Sequence, residues 1–170
     1  MIELNDRQIA DYFRRCYTSV DGLWFMKVEE AFGFDRALEI DNEVWQVLPK
    51  IQARFFKSLS KEKRGMQALF DCLTARLQLE GFSFSIEKED TVMNFSFCID
   101  QCPWHNVLVR SGRQGISARI GLEICTTEYS VWASEFGADI RFELKQRICG
   151  GEEFCSLHFQ QGENMQGEDR

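Results

Sequence analysis

The sequence predicts an α+β fold: an N-terminal helical lobe followed by an antiparallel sheet of about four strands covered on one face by helices. Three observations carry this. The hydrophobic period is helical from Asn5 to about Leu79, it switches to strict alternation after Gly81, and the later order is hairpin, helices, hairpin rather than alternating strand and helix. That order argues against a parallel, doubly wound sheet. The 170 residues, 44% hydrophobic and 28% charged, suffice for one real core. The expected divisions are a helical lobe over 1–80, the sheet with two helices over 81–160, and a polar tail over 161–170 without periodicity, expected to be disordered.

Four helices fit the first part. Asn5 or Asp6 caps the first, whose apolar face is Ile9, Tyr12, Phe13 and Cys16. Asp21 is placed to cap a second that runs through Phe32, with Gly33 as its terminator. Asp35 opens a third past Leu38, Val44 and Trp45, and Pro49 then begins a new helix or kinks a long one. The last, Lys61 to Gln78, sets Met66, Leu69, Phe70, Leu73 and Leu77 at helical spacing and stops at Gly81. Beyond it, Phe82, Phe84 and Ile86, then Met93, Phe95, Phe97 and Ile99, alternate with polar residues about a turn at Glu89-Asp90. Short and long helices follow at Pro103–Val109 and Ile116–Phe136, and two strands close the chain, Ile140 to Lys145 and Phe154 to Gln160.

Charge and composition exclude some functions. A net charge of −7 and a pI near 5.0 are opposite to the footprint of a nucleic-acid or anionic-membrane binder. No apolar run approaches the ~20 residues of a membrane span. The start, Met1-Ile2-Glu3-Leu4-Asn5-Asp6, has no signal-peptide pattern, so a cytoplasmic protein is expected. Seven cysteines form an odd set, which argues against a disulfide framework, and five of them fall in the last 75 residues.

Those cysteines define the candidate chemistry. Pro103 at a first helical position makes Cys102 an N-cap, where unpaired amides and the helix dipole should lower a thiol's pKa and create a nucleophile or metal ligand. His105, one turn on, is placed to turn toward it. Cys125 and Glu128 share a helix face with Tyr129 and Trp132, so Glu128 becomes a general acid or base or a ligand, unless it is a rim residue, solvated or paired with Arg119 or Arg141. Cys155 shares strand parity with Leu157 and Phe159, which turns it inward and His158 outward. Convergence of Cys102, Cys125, Cys155 and Glu128 would suit zinc, and inert, buried cysteines are the plain alternative. In the lobe, Trp24 and Trp45 are expected to wall a ligand pocket, with Asp21, Glu29 or Asp41 orienting the ligand, or else to serve as packing and caps.

On these residues the second half resembles the L-2-amino-thiazoline-4-carboxylic acid hydrolase family. The matching features are Cys102-Pro103, the helix with Cys125 and an acidic residue three positions later, and the close Gly150-Gly151-Glu152-Glu153-Phe154-Cys155-Ser156-Leu157-His158-Phe159. That close is also similar to the vinyl-reductase-like (4VR) ligand-binding domains, some of which hold zinc with cysteines and a glutamate. The whole chain looks like an uncharacterised prokaryotic cytosolic family allied to both. The resemblance implies a hydrolase-like protein acting on a cyclic C=N or amide-like substrate through Cys102, Glu128 and His105, with zinc at Cys102, Cys125, Cys155 and Glu128. Its alternative is a non-catalytic, zinc-stabilised binding or sensor domain whose small-molecule ligand meets Trp24, Trp45, Tyr129 and Trp132. No nucleic acid or membrane partner is expected on either reading, and a homodimer is an assembly either allows.

Overall fold

Apolar side chains that alternate along four strands need one cover, and two amphipathic helices supply it. The computed structural model describes residues 2–88 and 93–162. Two compact units divide the chain, Met1–Glu43 and Val44–Arg170. The division falls well before Gly81, because the helices from Leu48 onward pack with the sheet.

In the first unit, α1 (Asp6–Phe32) opens on a capping box in which Asn5 Oδ1 accepts from the Gln8 amide and Gln8 Oε1 accepts from the Asn5 amide. It runs unbroken through Asp21, where the sequence suggests a second start. Gly22 is a weak breaker by itself, and the Thr18 hydroxyl bonds back to the Arg14 carbonyl inside the helix. Gly33, at φ +85°, ends it, and α2 (Phe34–Trp45) follows.

Val44–Arg170 holds α3 (Leu48–Leu59), which Pro49 begins rather than kinks, and α4 (Gly65–Glu80), shorter at its start than its apolar spacing suggests. Gly81, left-handed at φ +83° and ψ +28°, stops α4 and turns the chain into the sheet. There follow β1 (Ser83–Lys88), β2 (Asn94–Gln101), α5 (Pro103–Arg110), α6 (Gln114–Phe136), β3 (Ile140–Gln146), a 3-10 turn at Ile148–Gly150, and β4 (Cys155–Gln161). The Glu89-Asp90 turn and residues 163–170 of the expected tail lie outside the described residues, and Gln161 belongs to β4.

The sheet is antiparallel throughout, in the order β1-β2-β4-β3. Phe97 faces Leu157, and Phe95 faces Phe159, so the central strands present one apolar layer. Phe70 of α4 lies 5.2 Å from Phe95 and 5.7 Å from Phe97, while Tyr129 of α6 lies 5.5 Å from Phe142, ring centre to ring centre. The fold is therefore the α+β arrangement read from the sequence, with helices on one sheet face. No helix among the described residues is long and apolar enough to cross a membrane.

Burial pushes the Asp21 carboxyl up to about 6. The folded chain thus holds this proton more tightly than the unfolded chain, so the favourable contribution is complete in acid and is lost as pH rises from about 4 through about 6. Asp21→Asn should raise the melting temperature at pH 7 and flatten its fall between those pH values, measured by circular dichroism. An unchanged pH profile would contradict the assignment.

Candidate functional site

Arg76 is a helical residue in the wrong place by composition: it lies on the α4 face that also carries Leu69, Cys72 and Leu73, and it is 1% exposed. Its guanidinium pairs with Glu128 of α6 and, at 2.8 Å, with Glu80 one turn along α4. It also lies over two rings, 5.7 Å from Phe82 and 5.9 Å from Tyr129. Gln52 of α3 donates to Glu80 at 3.1 Å. Glu128 is thus a buried ion-pair partner of Arg76 between helices, and Arg119 pairs with Glu123. The sequence signal for Arg76 is a charged residue on an apolar helical stripe, which marks a paired group because an unpaired buried charge is too costly.

The thiols gather beside this pair. Cys102, Cys125 and Cys155 all pack against the core, and Cys102, Cys155 and Glu128 lie close enough to Cys125 for their charges to disfavour its thiolate. Cys155 lies opposite Ile99 in the register, on the inward face with Leu157 and Phe159, and its sulfur accepts the Ile148 amide at 3.3 Å. Cys149 fills a slot on α6 that exists because residue 121 is glycine, since any side chain there would collide with the Cys149 sulfur. His158 turns to the other sheet face, where its Nδ1 lies 2.9 Å from Ser96 Oγ.

Burial works against a reactive thiol here. Burial pushes the Cys102 thiol up to about 12, although the Trp104 and His105 amides favour its thiolate. The magnitudes decide the outcome. Helix-end charge effects amount to about 0.3–1 kcal/mol, whereas a rise of three pKa units corresponds to about 4 kcal/mol. No side-chain capping bond forms at Cys102. Burial also drives the Cys125 thiol well up. The Nδ1 of His105 is buried with no hydrogen-bond partner among the described residues. The shift at Cys102 works against the thiolate a nucleophile needs at neutral pH.

The zinc centre expected at Cys102, Cys125, Cys155 and Glu128 does not fit this geometry. Among the described residues no group of three or more His, Cys, Asp or Glu side chains is arranged to hold a metal ion. The carboxylate it would need is engaged by Arg76.

The aromatic candidates separate. Trp24 is 66% exposed on α1, so it is no enclosing wall. Trp45 is buried and meets Trp104 edge-on at 5.8 Å, a partner the sequence reading did not single out. Tyr129 and Trp132 lie in the core, Trp132 stacked on Phe136 at 6.0 Å and tilted against Phe56 at 6.2 Å. Trp132 is completely buried, and its Nε1 has no hydrogen-bond partner among the described residues. A buried N–H without an acceptor costs about 1–3 kcal/mol, which makes this indole a donor waiting for one.

The family of unknown function DUF6125 matches the chain over residues 6–159. No curated protein matches it. Among solved structures it is similar to the phenol-responsive sensory domain of the transcription activator PoxR with phenol, with a TM-score of 0.53 and 9% identity over 95% of this chain and 76% of that one. At such identity the likeness is one of fold.

Two measurements check the site. Arg76→Met should lower stability in urea by about 3–5 kcal/mol because Glu128 then stays buried without its cation, and adding Glu128→Leu should recover most of that loss. Additive losses would show that the two side chains are not coupled. Iodoacetamide should label Cys102 and Cys125 at pH 7.5 at least about tenfold more slowly in the native protein than in urea, and fast native labelling of Cys102 would contradict its high pKa.

Proposed function

The chain belongs to the DUF6125 family, and we propose that it works as a small-molecule-binding, sensor-type domain without turnover. The observation that carries this reading is the polar centre inside the aromatic core. A buried ion pair adds little net stability, so Arg76 with Glu128 needs a reason other than folding. The adjoining aromatic residues and the unsatisfied Trp132 Nε1 offer one: a flat, mostly apolar ligand whose oxygen accepts the indole proton. The likeness in fold to a phenol-responsive sensory domain supports the same ligand size and chemistry.

The hydrolase-like alternative, a thiol acting on a cyclic C=N or amide-like substrate, requires a thiolate at Cys102 that burial suppresses. Zinc is left out of the proposal for want of a ligand set among the described residues. The family shown is DUF6125, and the likenesses to thiazoline hydrolases and vinyl-reductase-like domains remain resemblances.

Phenol is the first probe. Titrated by calorimetry, it should bind saturably and raise the melting temperature, and Trp132→Phe should weaken that binding about tenfold, the worth of one buried hydrogen bond, while keeping the fold. Absence of binding by phenol and by a panel of other monocyclic oxygen-bearing aromatics would overturn the reading.

A further inference from the structure

In the polar centre two carboxylates share one guanidinium. Arg76 is held by Glu128 of α6 and, at 2.8 Å, by Glu80 of α4, so the three groups together carry an excess of one negative charge. Gln52 adds a donor to Glu80 and no charge. Beyond Trp132, which stacks on Phe136, the Lys57 ammonium lies 4.7 Å from the Phe136 ring centre, and Glu135 engages it through its carbonyl and, at 3.5 Å, its carboxylate. Charges withdrawn from water are screened little, so the excess acts on whatever lies beside it. Trp132 is one helical turn from Glu128, which makes the two side chains neighbours on one face of α6, with about 5–6 Å between their Cβ atoms.

Tyr129 reports the field from inside the centre, because it is itself a phenol. Its hydroxyl accepts from Arg76 Nη1 at 3.5 Å. Even so, its pKa stands well above the ordinary tyrosine range, first through burial and next through the charge of Glu128, which outweighs the lowering by Arg76. An oxygen that ionises there meets a lost hydration shell and a negative neighbour together.

We propose that the ligand centre takes aromatic molecules in their uncharged form and that Glu128 turns away the anionic ones. This rests on the binding role proposed above and names its ligand class: a neutral aromatic with an acceptor oxygen, such as an amide, a ketone or an un-ionised phenol, in preference to a benzoate or a phenolate. A site built for a carboxylate ligand offers it the open fork of an arginine, whereas the fork of Arg76 is already held by two carboxylates of the chain.

A matched pair of ligands tests this by calorimetry on the full chain at pH 7.5. Benzamide and benzoate share a ring and nearly a shape. Benzamide should bind saturably, and benzoate at least about a hundredfold more weakly. Glu128→Gln leaves Glu80 on Arg76 and should narrow that ratio about tenfold, with far-ultraviolet circular dichroism checking that the fold is kept. Glu80→Gln, at the more open end of the centre, should narrow it in the same direction and serves if Glu128→Gln does not fold. Glu123→Gln, which removes a more exposed carboxylate from the same helix, should leave the ratio as it is. 4-Nitrophenol adds a spectroscopic readout, since its phenolate is yellow and its phenol is not: near its own pKa, added protein should fade the yellow as the neutral form is bound. Benzoate bound as tightly as benzamide, a ratio indifferent to both Glu128→Gln and Glu80→Gln, or a yellow that deepens on binding would each overturn this proposal while the binding role stands. Failure of phenol, benzamide and 4-nitrophenol alike to bind would overturn the binding role, and this proposal with it.

Discussion

The guanidinium of Arg76 lies between α4 and α6 with Glu80 on one side and Glu128 on the other, and much of the domain's chemistry follows from keeping that charge out of water. The pair ties the two helices that cover the sheet at a fixed register, because a guanidinium that loses its carboxylates inside a core faces a penalty of several kcal/mol. It also sets the state of the sulfurs nearby. Burial disfavours the thiolates of Cys102 and Cys125, and negative charge on Glu128 adds to that effect.

Local pattern made the architecture legible. The change of period at Gly81 locates where helices give way to strands, and alternation in Phe95-Ser96-Phe97-Cys98-Ile99 marks the inward face that the register places against Leu157 and Phe159. The boundary that misled was Asp21, an acceptable cap in isolation. A cap ends one helix and begins another only where the preceding turn has stopped, and between Cys16 and Asp21 nothing stops it.

The site was legible in part, for a reason that separates short range from long. Helical spacing is enough to set Cys125, Glu128, Tyr129 and Trp132 on one turn-to-turn face, and strand parity is enough to turn Cys155 inward. The partner of Glu128 is a different kind of fact, since Arg76 lies on another helix, with β1, β2 and α5 between them in the sequence. At Cys102 the cap position is as expected, and so are the amides, yet dipole effects are small beside the cost of ionising a sulfur packed against the core.

A polar group in an apolar core is tolerated only where something compensates it, and Trp132 Nε1 stands uncompensated among the described residues, so its natural complement is a molecule that enters the core. A bound molecule whose oxygen met that N–H would offset its cost, and the reading proposed above asks for no more than such binding.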